Sequence, residues 1–342
     1  MSIDGSDAAR VNRVLTTTLD RYLGSKKGIS NELKRNDGII AVFGDRKRIE
    51  VVTGQRAIET LDVSENSTFA ARSHLQDVPT ALQDSRREAK YAWATVDGSV
   101  TVNDIEQAMN AGPEQIFPLM DAEVQNAKNT IIRIIADQLR KASPTSLDPE
   151  SIRTLIEDNA GGSQTNSPGG ISRATNPFWR NQYDNTSMDI SSNSGYGSLL
   201  AFMMQDVAKG SGLMDKPDFG LTTGTLFADL GSGNGDANRR FSDERTLKLG
   251  FSNIVVDTAT IISDPNMPTG DLFLINTNFM GIKVLKTKHM KEAVGETPQT
   301  MPVSLRPFMI DPKSWHSIGL MAITYAFTLK SGQRQGIATN LS

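Results

Sequence analysis

The stretch NAGGSQTNSPGGISRATNPFWRNQ, residues 159–182, divides the chain into two halves of different texture. It opens as a glycine-, serine- and asparagine-rich connection, the composition of a loop that must turn. It then closes on an aromatic, basic end. Gly169-Gly170-Ile171-Ser172-Arg173 is followed at short range by Phe178-Trp179-Arg180-Asn181.

Upstream, residues 113–142 read as one long helix. Pro113 suits a first helical position, and Glu114 lies near the positive end of the helix dipole. Ile116, Met120, Val124, Ala127, Ile131, Ile134, Ile135 and Leu139 recur every three or four residues. Arg140 and Lys141 complement the other end, and Pro144 ends it. Such a helix would be about 45 Å long, a backbone element for a flat plate. Downstream, a second helix is predicted at about 196–209 and a third near 236–249. Between and after them, SNIVVD, ATIIS, DLFLIN, GIKVL and HSIGLMAITYAFTL read as strands.

Residues 44–102 carry short alternating or β-branched runs, RIEVV, RAIETLDV and YAWATVDGSVTV. Both legs of this segment are basic, with Arg46, Lys47 and Arg48 going out and Arg86, Arg87 and Lys90 coming back. The polar stretch between them cannot bury much apolar surface, and an isolated two-stranded ribbon is marginal in water. The segment is therefore either a solvated hairpin or a loop that lies on another molecule. Residues 1–43 read as a short helical stripe (Val11, Val14, Leu15, Leu19, Tyr22, Leu23) dissolving into an extended arm. That leading helix either packs on its own domain or reaches a neighbour.

Composition excludes several chemistries. There is no cysteine, hence no disulfide and no thiolate site. Lys plus Arg (36) nearly balances Asp plus Glu (39), so no basic excess marks a dedicated nucleic-acid binder. The opening residues lack a basic-then-apolar export signal, and no apolar run approaches about 18 residues, so no membrane span is expected. His74, His289 and His316 are scattered without metal-ligand spacing. No nucleophile elbow or phosphate loop occurs. Neither a catalytic residue, a cofactor nor a metal is predicted.

The one enzyme-like pattern is Asp229-Leu230-Gly231-Ser232-Gly233-Asn234-Gly235, with Asp257 downstream. It matches the acidic and glycine positions of S-adenosylmethionine-dependent methyltransferases. The doubly wound fold needs that motif early, followed by several strand–helix units. Here the remaining residues read as strands and loops, and TTGTLFADL is half polar. The pattern is read instead as a glycine-rich surface loop.

The order of these segments resembles the tailed-bacteriophage major capsid fold of the Hong Kong 97 type, over most of the chain. Gly54-Gln55-Arg56-Ala57-Ile58, Leu61 and Glu65-Asn66 are similar to the outgoing leg of that family's extended loop. Ala89, Tyr91 and Trp93 resemble its returning leg, and Asn103-Asp104-Ile105 its run into the spine helix. Gly169, Gly170 and Arg173 with Trp179 and Arg180 resemble a glycine–aromatic signature of one capsid subgroup. Arg239 or Arg240, Gly250-Phe251 and Asp271-Leu272-Phe273-Leu274-Ile275-Asn276 follow in the family's order. The ending, from Arg306-Pro307-Phe308 to Gln333-Arg334-Gln335-Gly336, is similar to its final strands.

The resemblance implies an α+β chain with an N-terminal arm (1–43) and an extended β-hairpin loop (44–102). A peripheral domain (103–144 and 300–342) would hold the long spine helix, beside an axial domain (145–299). It implies a non-enzymatic subunit that assembles with itself into pentamers and hexamers of an icosahedral virion capsid, in the host cytoplasm, around double-stranded DNA contacted without sequence specificity. A separate scaffolding protein and a portal are implied partners, with decoration proteins left open. The chain departs from members that begin with a long charged scaffold segment. Lys47 and Lys90 lie near the loop, but no acidic catalyst accompanies them, so no covalent crosslink is expected. The charge pattern suggests that Arg46, Lys47, Arg48, Arg86 and Arg87 rest on Glu114, Asp121 and Glu123 of an adjacent copy. An encapsulin-like compartment shell is the alternative on the same fold.

Overall fold

The alternation in HSIGLMAITYAFTL becomes a single 14-residue strand around which the first of two sheets is built. The computed structural model describes residues 37–72, 76–77, 80, 84–109, 119–158, 164–208, 213–233, 247, 252–287, 303–305, 309–310 and 316–342. Its first half contains α1 (Gly38–Asp45), β1 (Ile49–Val52), β2 (Ala57–Asp62), β3 (Arg86–Tyr91), β4 (Ala94–Asn103), α2 (Asp104–Met109), α3 (Leu119–Arg140) and α4 (Ile152–Leu155). Beyond the glycine-rich stretch come β5 (Gln182–Asp184), α5 (Asn193–Ala201), β6 (Phe219–Thr222), α6 (Gly224–Gly233), β7 (Asn253–Val256) and β8 (Ala259–Ser263). The chain ends with β9 (Leu272–Ile275), β10 (Met280–Leu285), β11 (Ser304–Leu305), β12 (Met309–Ile310), β13 (His316–Leu329) and β14 (Gly336–Ala338).

In the first sheet β13 pairs antiparallel with β4 along His316–Tyr325 and with β10 along Tyr325–Leu329. β1 adds to β10 in parallel, and β11 and β12 complete the sheet on β13. Odd positions of β13 from Gly319 onward are buried, and the even positions Leu320, Ala322 and Thr324 face outward. This is the period-two consequence of one buried face. α3 packs against β4 with Ile131, Ile135, Ala136 and Leu139 turned inward.

The second sheet runs β5-β14-β9-β6-β8-β7. β6, β9 and β14 are buried at every position, because both faces of this sheet are covered. On one face Leu199, Phe202 and Met203, with Leu226 and Leu230 of α6, close over Ile254, Ile261 and Leu274. On the other, Phe219, Leu221, Phe273, Ile275 and Ile337 join a core shared with the first sheet and α3.

α1 lies inside that shared core. Residues Gly38–Gly44 are all buried, and the Phe43 ring meets Phe327 edge-on at 5.6 Å. Asp37 caps it, accepting from the amides of Ile39 and Ile40 at 3.1 Å each. Residues 37–43, expected to belong to the arm, are therefore part of the core. GIIAVF is apolar on all sides, so the helix is stable only when surrounded. Residues 1–36 lie outside the described residues.

Other boundaries move too. β1 and β4 are strands of the first sheet, which leaves only β2, β3 and their connection as the hairpin of the predicted 44–102 loop. β10 belongs to the first sheet although it falls within 145–299. β14 belongs to the second sheet although it falls within 300–342. Pairing, which no local pattern encodes, decides these memberships. The helix predicted over 113–142 is present as α3; residues 113–118 are outside the described set. The helix predicted at 196–209 starts at Asn193 and continues through a π-helical turn, Phe202–Val207. The one predicted near 236–249 lies almost wholly outside the described residues.

Candidate functional site

β2 and β3 pair in register from Ala57↔Tyr91 to Asp62↔Arg86 and form a ribbon beside the two sheets. Its root is fastened to the body. Ala57, Glu59 and Leu61 on one strand and Ala89 and Tyr91 on the other are buried, and their neighbours Ile58, Thr60, Glu88 and Lys90 are exposed. The buried Glu59 carboxylate meets the Lys283 ammonium at 2.8 Å and accepts from the Thr328 hydroxyl at 2.9 Å. Lys283 also donates to the Ile58 carbonyl at 2.8 Å. A charge pair taken out of water needs such additional bonds to offset desolvation. The Tyr91 hydroxyl donates to the Leu329 carbonyl at 3.0 Å and accepts from the Leu329 amide at 3.2 Å. Burial holds this phenol well above its ordinary range, with Glu150 adding in the same direction.

The signature residues form the seat on which this root rests. Gly169 has φ +61°, and a Cβ there would come within 2.7 Å of the Ala89 Cβ and 2.9 Å of the Tyr91 ring. Only glycine allows the Pro168–Gly170 turn to lie this close to β3. Arg173 is 0% exposed. Its guanidinium donates to the carbonyls of Trp179 (3.1 Å), Leu155 (2.5 Å) and Thr154 (3.5 Å) and lies 3.6 Å from Glu157. Desolvation lowers its pKa to about 10 against the pull of Glu157, so it remains a cation at neutral pH. The buried Trp179 indole donates to the Pro168 carbonyl at 2.9 Å. Arg180 donates to the carbonyls of Arg173 and Ala174. The motif is thus a self-satisfied buried cluster that fixes the Gly169 turn.

The outer half of the ribbon is different. Arg86 and Asp62 face each other at 3.4 Å with side chains 77% and 79% exposed. Arg87 is exposed. Farther out, Asn66 organises a turn by accepting from the Thr68 amide (2.9 Å) and hydroxyl (2.7 Å), and Phe69 stands on it 83% exposed.

The predicted basic legs do not act alike. Arg46 pairs with Asp218, donates to the Asp218 carbonyl at 3.0 Å and to Thr277 at 3.2 Å, and lies over the Phe219 ring. Arg48 donates to Asn278. Both are therefore used inside the chain, correcting their assignment to an adjacent copy; proximity to β6 and β9 decides this. Lys47 sits between them in a turn at φ 57°. Glu123 is half-buried on α3. Glu114 and the side chain of Asp121 lie outside the described residues. No predicted basic residue meets a predicted acidic one among the described side chains.

Sequence reasoning missed a second joint. Arg140, at the end of α3, is buried and bridges Asp37, the cap of α1, to Asp264 just beyond β8, with its Nε 2.5 Å from the Asp264 carboxylate. Asp37 before an apolar run was the legible signal. Asp264 and Asp218 carried none.

The methyltransferase pattern also resolves. Asp229–Gly233 is the last part of α6, with Leu230 buried in the core, and is neither a surface loop nor a strand-to-helix turn. Apolar spacing from Leu226 to Leu230 outweighs the glycines. Asp257 pairs with Lys216 at 3.1 Å. Among the described residues no cluster of His, Cys, Asp or Glu could hold a metal, and no helix is long and apolar enough to cross a membrane.

No protein-family profile matches the chain, and no curated protein matches it in sequence. Solved structures do match. The capsid of cyanophage A-1(L) superposes with a TM-score of 0.67 at 14% identity, covering 93% of this chain and 96% of that one. The capsid of the Myoviridae phage XM1 gives 0.54 at 11%, covering 93% and 96%. The SrpI encapsulin of Synechococcus elongatus PCC 7942 gives 0.52 at 12%, covering 95% of each. The chain has the α+β fold of tailed-phage capsid proteins, a fold that an encapsulin shares.

Proposed function

We propose that this chain is the structural subunit of a closed, self-assembled icosahedral shell, a virion capsid around double-stranded DNA. The observation that carries the reading is the ribbon: its root is locked by Glu59, Tyr91 and the Gly169 turn, and its outer half offers Arg86, Arg87 and Phe69 to solvent. A ribbon held this way stays anchored at its root, and its outer half has no covering surface among the described residues. A contact between a projecting element and a different patch on the next copy is heterologous, and such contacts form rings when the rotation between copies closes. Pentamers and hexamers are those rings.

Assembly of a shell needs many moderate contacts, so that misplaced copies can leave. Exposed ion pairs supply about 0–1 kcal/mol each, and Phe69 adds an apolar anchor on a turn already ordered. Lys47, Arg86 and Arg87 are the basic residues left for an acidic patch of the next copy, for which Glu114, Asp121 and Glu123 are candidates. A net charge of −3 suits containment of DNA rather than its recognition. A scaffolding protein and a portal would be partners from separate chains, with decoration proteins on the outer surface and assembly in the host cytoplasm.

Negative-stain microscopy of the purified protein across a concentration series tests the proposal. Closed particles of uniform diameter are expected; a compact single copy at every concentration would overturn it. The likeness to an encapsulin favours a second reading, a compartment shell. Particles isolated from the producing cells separate the two by their contents, DNA in one case and a protein cargo in the other.

A further inference from the structure

Glu150 lies at the seam between the body and the ribbon. Its Oε1 accepts the Gly169 amide at 2.9 Å, and its Oε2 is buried with no hydrogen-bond partner among the described residues. Glu150 is half-buried as a residue, with its Oε2 sealed from water. An ionised carboxylate can accept about four hydrogen bonds, so one so placed and holding a single amide is poorly satisfied. The Gly169 turn that it holds is the surface on which Ala89 and Tyr91 of β3 rest. The carboxyl holds the turn, and the turn holds the ribbon.

We propose that Glu150 is a proton-operated latch on the ribbon: the neutral carboxyl keeps the Pro168–Gly170 turn seated against β3, and the ionised carboxylate loosens it.

The groups facing Glu150 do not rescue its charge. From β3 comes Tyr91, whose hydroxyl is engaged with both backbone groups of Leu329 and stays neutral. From the loop beyond the turn comes Arg173, already engaged with three carbonyls and paired with Glu157, which follows α4. The Glu59 charge on β2 acts on Tyr91 and is paired with Lys283. Burial therefore outweighs the Gly169 amide and the pull of Arg173, and the Glu150 carboxyl is pushed up to about 6 from 4.5. With the ribbon seated the carboxyl holds its proton to higher pH than it does when released into water. Raising the pH through the interval between those two values therefore favours release, and lowering it favours seating. The full difference corresponds to a roughly 30-fold change in the seating equilibrium. At neutral pH the ribbon is thus weakly latched, and in mild acid it is held. The latch lies within one chain and does not depend on the shell reading.

The test is amide hydrogen exchange on dilute, unassembled protein, expressed as protection factors so that the intrinsic pH dependence of exchange is removed. Wild-type amides of Ala89, Lys90 and Tyr91 should lose roughly tenfold in protection between pH 5 and 7.5. Glu150→Gln keeps the acceptor for the Gly169 amide without the charge. It should be flat with pH and roughly 30-fold better protected than wild type at pH 7.5. A flat wild-type profile, or the same pH step retained in Glu150→Gln, would overturn the latch. Independently of any variant, the Glu150 side-chain carboxyl carbon should titrate by NMR with a midpoint near 6; an ordinary carboxylate midpoint would overturn it as well. Light scattering on the same samples reports particle formation separately, so failure of the shell reading leaves this test standing.

Discussion

The two basic clusters that flank the ribbon read alike along the chain and do opposite things in the fold. Arg46 and Arg48 on the way out reach across more than 150 residues of sequence to Asp218, Thr277 and Asn278, and join the start of the first sheet to the second. Arg86 and Arg87 on the way back face water, and among the described residues Arg86 pairs with Asp62 of the opposite strand. The difference teaches that a charge run reports little about its own use. A guanidinium surrounded by carbonyls and a carboxylate is a structural joint, and the same group in high dielectric is a surface free to meet a partner.

The strongest way to break the comparison is at the most buried joint. Arg140→Ala would leave Asp37 and Asp264 facing one another without their cation, and should cost about 3–5 kcal/mol of unfolding free energy in urea titration. A cost below about 1 kcal/mol would mean that α1 is not held there. Next is the seat of the ribbon. Gly169→Ala adds a Cβ where Ala89 and Tyr91 already stand, in a left-handed conformation. It should lose about 2–3 kcal/mol, measured the same way. Arg46→Ala, at a largely but not fully buried pair, should cost about 1–3 kcal/mol. The paired reversal Arg86→Glu, Arg87→Glu sharpens the contrast from the other side. Its thermal unfolding should change by less than about 0.5 kcal/mol, with a clear fall in particle yield. Undiminished particles would remove the returning leg from the interface. The smallest effect on the single copy belongs to Phe69→Ser, expected to leave unfolding unchanged while weakening assembly, because a side chain 83% exposed has little to lose within its own chain.

Much of the fold was legible. β13 and β4 announce themselves by alternation, β9 and β10 by apolar runs bounded by turn residues, and α3 by a 3.6-residue period. α1 was not, since seven consecutive buried residues show no periodicity. Its capping aspartate was the one usable sign. The candidate site was half legible. Gly169, Gly170, Arg173, Trp179 and Arg180 stood out as a pattern, but that they seat the ribbon requires Ala89 and Tyr91, about 80 residues upstream, to be known as neighbours. Glu150 carried no signal, being a single glutamate in a proline-containing loop whose meaning lies in the partner its second oxygen lacks among the described residues.

By itself, then, the sequence determined the kind of the long, strongly patterned elements and the absence of thiol chemistry. Side-chain period, capping and turn residues act between neighbours a few positions apart, and these local preferences need no knowledge of the rest of the chain. Tertiary structure alone decided that β10 joins the first sheet and β14 the second, that Arg46 points inward and Arg86 outward, and that Glu150 holds the turn on which the ribbon rests. Strand pairing, desolvation and Coulomb attraction depend on distances in space between residues far apart in sequence, and those distances exist only once the two sheets have closed around α1.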